Sequence, residues 1–110
     1  MLNELRVTNK YHGRWPNRRY VNIMRGSPLG NPFPVHELNP REDAIWQYKQ
    51  WLIKQLEEGN PSVVAELDRI AAMVMDNTDE PVCLECCCHP KACHGDVIIK
   101  VILEVLEQAA

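Results

Sequence analysis

The sequence lacks any apolar run close to the roughly 20 residues that a membrane-spanning helix requires, so we expect no membrane partner. Residues 1–6 also lack the long apolar core of a signal peptide, and a cytoplasmic location follows as the expectation. Internal repeats, low-complexity tracts and linker-like segments are absent as well. At a length of 110 residues, these absences predict a single domain spanning residues 1–110.

Cysteine is missing from the first 82 residues, and all five cysteines then fall between positions 83 and 93. In a cytoplasmic protein these thiols are expected to be reduced, and their odd number also disfavours a closed disulfide framework. A concentration of thiols of this kind is typical of a metal site, a reactive thiol or a redox pair.

The net charge of −3 conceals an uneven distribution along the chain. Residues 1–41 carry seven basic and two acidic side chains, a net charge of +5, whereas residues 42–110 carry five basic and thirteen acidic ones, a net charge of −8. An anionic ligand would be attracted to the N-terminal part. The alternative is an uneven scatter of charges with no functional meaning.

The pattern of apolar and turn-forming residues predicts the element order β-β-α-α-β-α. Strands are predicted around Leu5, at residues 20–24 and at residues 82–86. Helices are predicted from an Asn39 cap to Gly59, from an Asn60 cap onwards, and from about residue 94 to about residue 108. This order predicts a small α/β, three-layer-like domain, with a short, partly parallel sheet of about three strands flanked by about three helices.

If the second and third strands are parallel neighbours, the loops that follow them open at the same edge of the sheet, where α/β folds place their ligand sites. The first of these loops, residues 25–34, is rich in glycine and proline. Arg25 can bind a phosphate or carboxylate with two hydrogen bonds, and glycines allow a ligand to approach the backbone. The candidate ligand-binding residues are Arg25, Gly26, Ser27, Gly30 and Asn31. A purely structural turn is the alternative.

The second loop supports two competing chemistries. Cys86, Cys88, Cys93 and His94 are ligands of the type that zinc prefers, so zinc is a candidate cofactor. Alternatively, Cys93 is a reactive thiol with a lowered pKa at the start of the third helix, next to His94. Asp96 would then act as a base in a catalytic set of Cys93, His94 and Asp96, unless it only caps the helix. Cys83 is expected to be a small buried residue.

Two further features suggest partners. The segment 10–20 interleaves four cationic with three aromatic side chains, a composition that can contact phosphates and stack on bases of a nucleic acid, although a short basic loop is more often simply solvated. The third helix is apolar on more than one side, so it is either sandwiched in the core or covered in a homodimer.

The two loops together resemble the domain-of-unknown-function family 4326, small proteins of bacteria and phages. Its members pair an Arg-Gly-Ser-Pro-Leu-Gly-Asn-Pro-Phe loop, matched here by residues 25–33, with a Cys-x-Cys…Cys-His-Gly-Asp segment, matched by residues 86–96. The resemblance implies a shared fold and site but no reaction, and for a phage-encoded protein it implies the host cytoplasm. Cys83, Cys87 and the segment before Tyr20 lie outside the family pattern.

The leading hypothesis is therefore a protein that binds a nucleotide or another phosphorylated small molecule, with processing of that ligand as an extension. The alternatives are a non-enzymatic, zinc-stabilised interaction module, such as a phage protein that binds a host factor, and a small nucleic-acid-binding protein. Neither the identity of the ligand nor catalysis follows from the residues alone.

Overall fold

The computed structural model describes residues 2–109, which form an α/β domain with three strands and three helices. The strands are β1 (Leu5–Asn9), β2 (Arg19–Asn22) and β3 (Val82–Cys86), and the helices are α1 (Arg41–Glu58), α2 (Pro61–Met75) and α3 (His94–Ala109). A short 3₁₀ helix, Lys10–His12, follows β1. This element order confirms the α/β fold predicted from the sequence.

The sheet is parallel throughout, with β3 between β1 and β2. Leu5 lies opposite Val82, and Arg19 lies opposite Val82 on the other side. Every residue of β3 is buried, as expected for a central strand, and the predicted bounds of β3 are confirmed. Because β2 and β3 are parallel neighbours, the loops that follow them open at one edge.

The main core lies on one face of the sheet. Alternate strand residues, among them Val7, Val21 and Leu84, join buried side chains of all three helices in a single apolar cluster. At Gly95, in the first turn of α3, an added Cβ would lie 2.7 Å from Val7 Cγ2, so glycine permits the close packing of α3 on β1. On the opposite face, the segment 10–18 lies against the sheet, where Arg14 pairs with the buried Glu85 of β3.

Helix starts differ in how well the sequence predicts them. Asn60 caps α2 by accepting a hydrogen bond from Ser62 N at 3.1 Å, as predicted. Asn39 does not cap α1, because Pro40 occupies the cap position. The Asn39 amide instead donates to Pro34 O at 2.8 Å and to Gln47 Oε1 at 3.0 Å. The Asn39 side chain therefore forms tertiary hydrogen bonds in place of the predicted helix cap.

Strand β2 begins one residue earlier and ends two residues earlier than predicted. Asn22 Oδ1 accepts a hydrogen bond from Met24 N at 2.9 Å, which turns the chain out of the sheet. Ile23 N still donates to Glu85 O at 3.1 Å, so one backbone bond to β3 persists beyond the strand. Within residues 2–109, no helix combines the length and the apolar character needed to cross a membrane.

Candidate functional site

A cavity of about 470 Å³ opens at the carboxyl ends of β2 and β3, where the two motif loops meet. The first loop, the start of α1 and the cysteine loop form its walls. The predicted convergence of the two loops at one sheet edge is therefore present in the structure. The cavity is lined by Met24, Arg25, Asn31, Phe33, Val35, Arg41, Ala44, Ile45, Cys86, Cys87, Cys88, Cys93 and His94.

The charge of this cavity favours anions. Among residues 2–109, its lining contains two arginines, Arg25 and Arg41, and no aspartate or glutamate. The N-termini of α1 and α3 also border it, and the positive end of a helix dipole favours negative charge. Phe33, Val35 and Ile45 add an apolar wall, so the cavity suits a ligand with one anionic and one apolar part.

The two arginines are held by backbone carbonyls and keep donors free. Arg25 Nε donates to Asn31 O at 3.1 Å, and Arg41 Nη1 donates to Ala92 O at 3.1 Å. Within residues 2–109, the Nη groups of Arg25 have no hydrogen-bond partner. Guanidinium groups oriented in this way can accept a phosphate or carboxylate without first breaking an ion pair.

Of the five predicted ligand-binding residues, Arg25 and Asn31 line the cavity, whereas Gly26, Ser27 and Gly30 build the loop behind it. Ser27 Oγ donates to Met24 O at 2.6 Å, and Gly30 N donates to Ser27 O at 3.1 Å. A Cβ at Gly30 would lie 2.6 Å from Met24 O and 2.8 Å from Arg25 Cα. Gly30 therefore sets the path of the loop that presents Arg25.

The cysteine loop brings two buried thiols together. Cys86 Sγ lies 3.3 Å from Cys93 Sγ, and Gly95 N donates to Cys93 Sγ at 3.4 Å. The hydrogen bond from the Cys93 thiol, helped by the backbone N–H groups of Cys88 and His89, lowers the pKa of Cys86 from 9.0 to about 6. The same bond and burial raise the pKa of Cys93. These contacts favour a single thiolate for the pair, on Cys86.

This assignment differs from the sequence-based expectation of a lowered pKa at Cys93. The start of α3 does supply a donor to Cys93, but the neighbouring Cys86 anion opposes a second negative charge. The expectation for Cys83 is confirmed, because burial in the strand raises the pKa of its thiol.

His94 and Asp96, the other two members of the predicted catalytic set, both contact the loops around the cavity. The buried His94 ring bonds Ile23 O through Nε2 at 2.6 Å, and burial lowers its pKa, so the imidazole is neutral at pH 7. Its ring also packs edge-on against Tyr48, with 4.9 Å between centroids. Asp96 is outside the cavity lining, and its Oδ2 accepts a hydrogen bond from Cys93 N at 3.1 Å at the start of α3. Its place corresponds to the helix-capping alternative.

The four residues predicted as zinc ligands, Cys86, Cys88, Cys93 and His94, are brought together in part. Among residues 2–109, no group of three or more histidine, cysteine, aspartate or glutamate side chains is placed to hold one metal ion. Cys86 and Cys93 approach each other, but His94 Nε2 is engaged by a backbone carbonyl. Zinc binding stays a prediction, which elemental analysis of purified protein would test.

Sequence reasoning missed two residues at the candidate site. Arg41 opens α1 and lies 16 positions after Arg25, so only the fold brings their side chains to one cavity. Tyr48 OH donates to Leu29 O at 2.7 Å while its ring contacts His94, so this buried side chain ties the two motif loops together. Its helical spacing predicted core packing, and a buried hydroxyl that needs a partner was the available signal.

Comparisons with known proteins agree with the extent of the folded unit. The sequence model of a family described as a domain of unknown function (DUF4326) matches residues 7–104, from the middle of β1 to the last turns of α3. An uncharacterized 12.4 kDa protein in the nrdA-td intergenic region of Enterobacteria phage T4 is 33% identical over 97 residues, which cover 88% of this chain and 76% of the phage protein. No solved structure matches the chain.

Proposed function

The chain belongs to the DUF4326 family, whose description names no reaction, and from the cavity we propose that this protein binds an anionic small molecule, a nucleotide or another phosphorylated compound. The observation that carries the proposal is the pair of arginines, Arg25 and Arg41, in a cavity to whose lining the described part of the chain contributes no carboxylate. Two arginine side chains in one cavity favour the binding of a phosphate group over that of a neutral ligand.

The shape and charge of the cavity define the ligand further. Two guanidinium groups and one shared thiolate leave a net charge of about +1, since the His94 imidazole is neutral. The volume of about 470 Å³ is within the range of small-molecule sites. The phosphate would lie against Arg25 and Arg41, and the less polar part of the ligand would lie against Phe33 and Ile45.

Processing of the ligand would require a reactive group, and the Cys86 thiolate is the nucleophile that borders this cavity. Cys86→Ser removes the thiolate while keeping a small polar side chain. We expect this variant to retain ligand binding, so that binding and any covalent chemistry can be measured separately.

Thermal denaturation with a panel of nucleotides and sugar phosphates tests the proposal. A ligand at 100 times its Kd would stabilise the protein by about 2.7 kcal/mol. Arg25→Ala and Arg41→Ala should each weaken binding roughly 10- to 100-fold, the range expected for loss of a charged hydrogen bond. Lys49→Ala, which removes an exposed cation of α1 away from the cavity, is the control.

Two results would contradict the proposal. In the first, no phosphorylated compound raises the melting temperature of the native protein. In the second, the arginine variants respond to the ligand as strongly as the native protein and the Lys49→Ala control do.

A further inference from the structure

A second cavity, of about 230 Å³, lies on the opposite face of the sheet, beneath the basic segment 10–18. The proposed function does not use it. Within the described residues, its lining contains two arginines, two histidines and two large aromatic rings, and it contains no aspartate or glutamate. The lining residues are Arg6, Val7, Thr8, Asn9, His12, Gly13, Trp15, Arg18, Tyr20 and His89.

The wall of this cavity has polar atoms without partners. Within residues 2–109, Thr8 Oγ1 and Arg6 Nε are buried and form no hydrogen bond. These two atoms lack the partner that buried polar groups normally have. Arg6 also forms an ion pair with Glu4, whereas Arg18 contacts the Trp15 ring, with its guanidinium carbon 5.9 Å from the centroid.

The aromatic rings at the mouth of the cavity are accessible. The Trp15 side chain is 65% exposed, and the neighbouring Tyr11 is 76% exposed. Trp15 N donates to Tyr20 OH at 2.7 Å, which fixes the backbone that carries the indole. An exposed, positioned ring next to cationic side chains is the combination on which unpaired bases stack.

The loop is anchored to the sheet by an ion pair. Arg14 donates from Nη2 to Glu85 Oε1 at 2.6 Å and from Nε to Glu85 Oε2 at 3.1 Å. Its guanidinium also lies over the Tyr20 ring, 4.9 Å from the centroid. Arg14 thereby neutralises Glu85, which is the strand carboxylate on this face and is buried. The remaining free charge around the cavity is positive.

From this arrangement we propose that the second cavity binds a nucleotide unit of single-stranded nucleic acid, with its phosphate at Arg6 and Arg18 and its base on Trp15. In a duplex, each base is already stacked between its neighbours, so only an unpaired base can stack on the Trp15 ring. A duplex therefore does not fit the site. The chain has a net charge of −3, which opposes long contact with a polyanion. The footprint is therefore short, but longer than one nucleotide.

Fluorescence anisotropy with labelled eight-nucleotide DNA and RNA strands tests this proposal, with the corresponding duplex and a mononucleotide as competitors. Trp15→Ala should weaken binding of the strand roughly tenfold or more, the range for loss of one base stack. Arg18→Gln should weaken binding and lower the slope of log K against log salt by about 0.7, the value for one phosphate contact to a single strand. Circular dichroism establishes that both variants fold.

Two variants serve as matched controls. Trp46→Ala removes an indole of similar exposure, 63%, from α1, and Arg25→Ala removes an arginine of the first cavity. Both should bind the strand as the native protein does. The proposal is overturned if the strand does not bind, if the duplex competes equally, if Trp15→Ala and Arg18→Gln both bind normally, or if Arg25→Ala binds as weakly as Arg18→Gln. It is also overturned if the mononucleotide competes with the affinity of the strand, since the site would then serve free nucleotides.

Discussion

At the residue scale, Cys86 and Cys93 show how two identical side chains acquire opposite properties. Their sulfurs lie 3.3 Å apart, too close for two negative charges in a buried place, so one thiol donates a hydrogen bond to the other. The sulfur of Cys86, at the end of β3, also accepts hydrogen bonds from backbone N–H groups of the loop that follows. The sequence predicted a reactive thiol in this loop. The contact between the two sulfurs depends on how closely α3 approaches β3, and this distance cannot be derived from the spacing of the cysteines.

We predict that Cys86 is a thiolate at neutral pH. With a pKa of about 6, roughly 90% of Cys86 is ionised at pH 7, against a few per cent for a free cysteine. The alkylation rate of each cysteine is measured against pH by peptide mass spectrometry, and the pH midpoint of this rate gives the pKa. Burial slows alkylation at every pH, so it does not change the midpoint. Cys93→Ala removes the donated hydrogen bond and should move the Cys86 midpoint up towards 8.5, whereas Cys93→Ser retains a donor and should move it less. A Cys86 midpoint near 8.5 in the native protein would refute the assignment.

At the element scale, sequence patterns predicted a helix or strand correctly where its residues interact in the folded protein with the neighbours in sequence that the pattern assumes. Strand β3 and the start of α2 are found where the sequence places them, since a buried apolar run and an Asn-Pro cap need little from the rest of the fold. The start of α1 was shifted because Asn39 bonds Pro34 O in the preceding loop. Side chains that can serve either a helix end or a tertiary partner are the ones whose role sequence patterns do not determine.

The two asparagines before α1 and α2 should therefore respond differently to the same change. Asn39→Asp removes the amide donor to Pro34 O and should cost about 1 kcal/mol, the net value of a typical hydrogen bond. Asn60→Asp retains the oxygen that caps Ser62 N. The amide donor of Asn60 that is lost bonds Gln55 Oε1 at 2.7 Å, and a glutamine side chain can turn its own amide N–H towards the new carboxylate, whereas the Pro34 carbonyl cannot donate. Stability should therefore change by less than about 0.5 kcal/mol, because aspartate and asparagine are comparable caps. Urea denaturation of both variants, compared at an unchanged m value, measures the difference. Equal losses would mean that the Asn39 amide contributes nothing.

At the scale of the whole molecule, the parallel sheet lies between two cavities. One is at the carboxyl ends of β2 and β3, and the other is on the face beneath the segment 10–18. The order β1-β3-β2 places the two motif loops together, which the sequence predicted on the condition that β2 and β3 pair. It did not predict that Arg41 joins them or that the segment 10–18 lies against the second face, because both depend on how α1 and this segment pack. Homodimer formation stays a prediction: the α3 side chains Leu103 and Val105 are 40% and 53% exposed, and native mass spectrometry would give the subunit number.

One carboxylate joins distant parts of the chain at the other end of the sheet, and it makes stability depend on acid. Asp76, after α2, accepts hydrogen bonds from Thr78 Oγ1 at 2.7 Å and from Asn3 Nδ2 at 2.9 Å, and it forms an ion pair with Arg19. The Thr78 hydroxyl, together with Arg19, lowers the pKa of Asp76 from 3.8 to about 2. Because the folded state holds the ionised form more tightly, this contribution is present above about pH 3.8 and is lost as the pH falls through about 2.

Asp76→Asn should consequently lower the melting temperature at pH 7, and the difference from the native protein should shrink between pH 4 and pH 2. Asparagine keeps an oxygen for Asn3 and Thr78, so the lost quantity is the charge that faces Arg19. Thermal unfolding followed by circular dichroism across this pH range measures it, with Asp68→Asn, an exposed carboxylate of α2, as the control that should show no such convergence. If the Asp76→Asn deficit were as large at pH 2 as at pH 7, the role of Asp76 would be packing or hydrogen-bond geometry, and the charge of Asp76 would not be what holds these segments together.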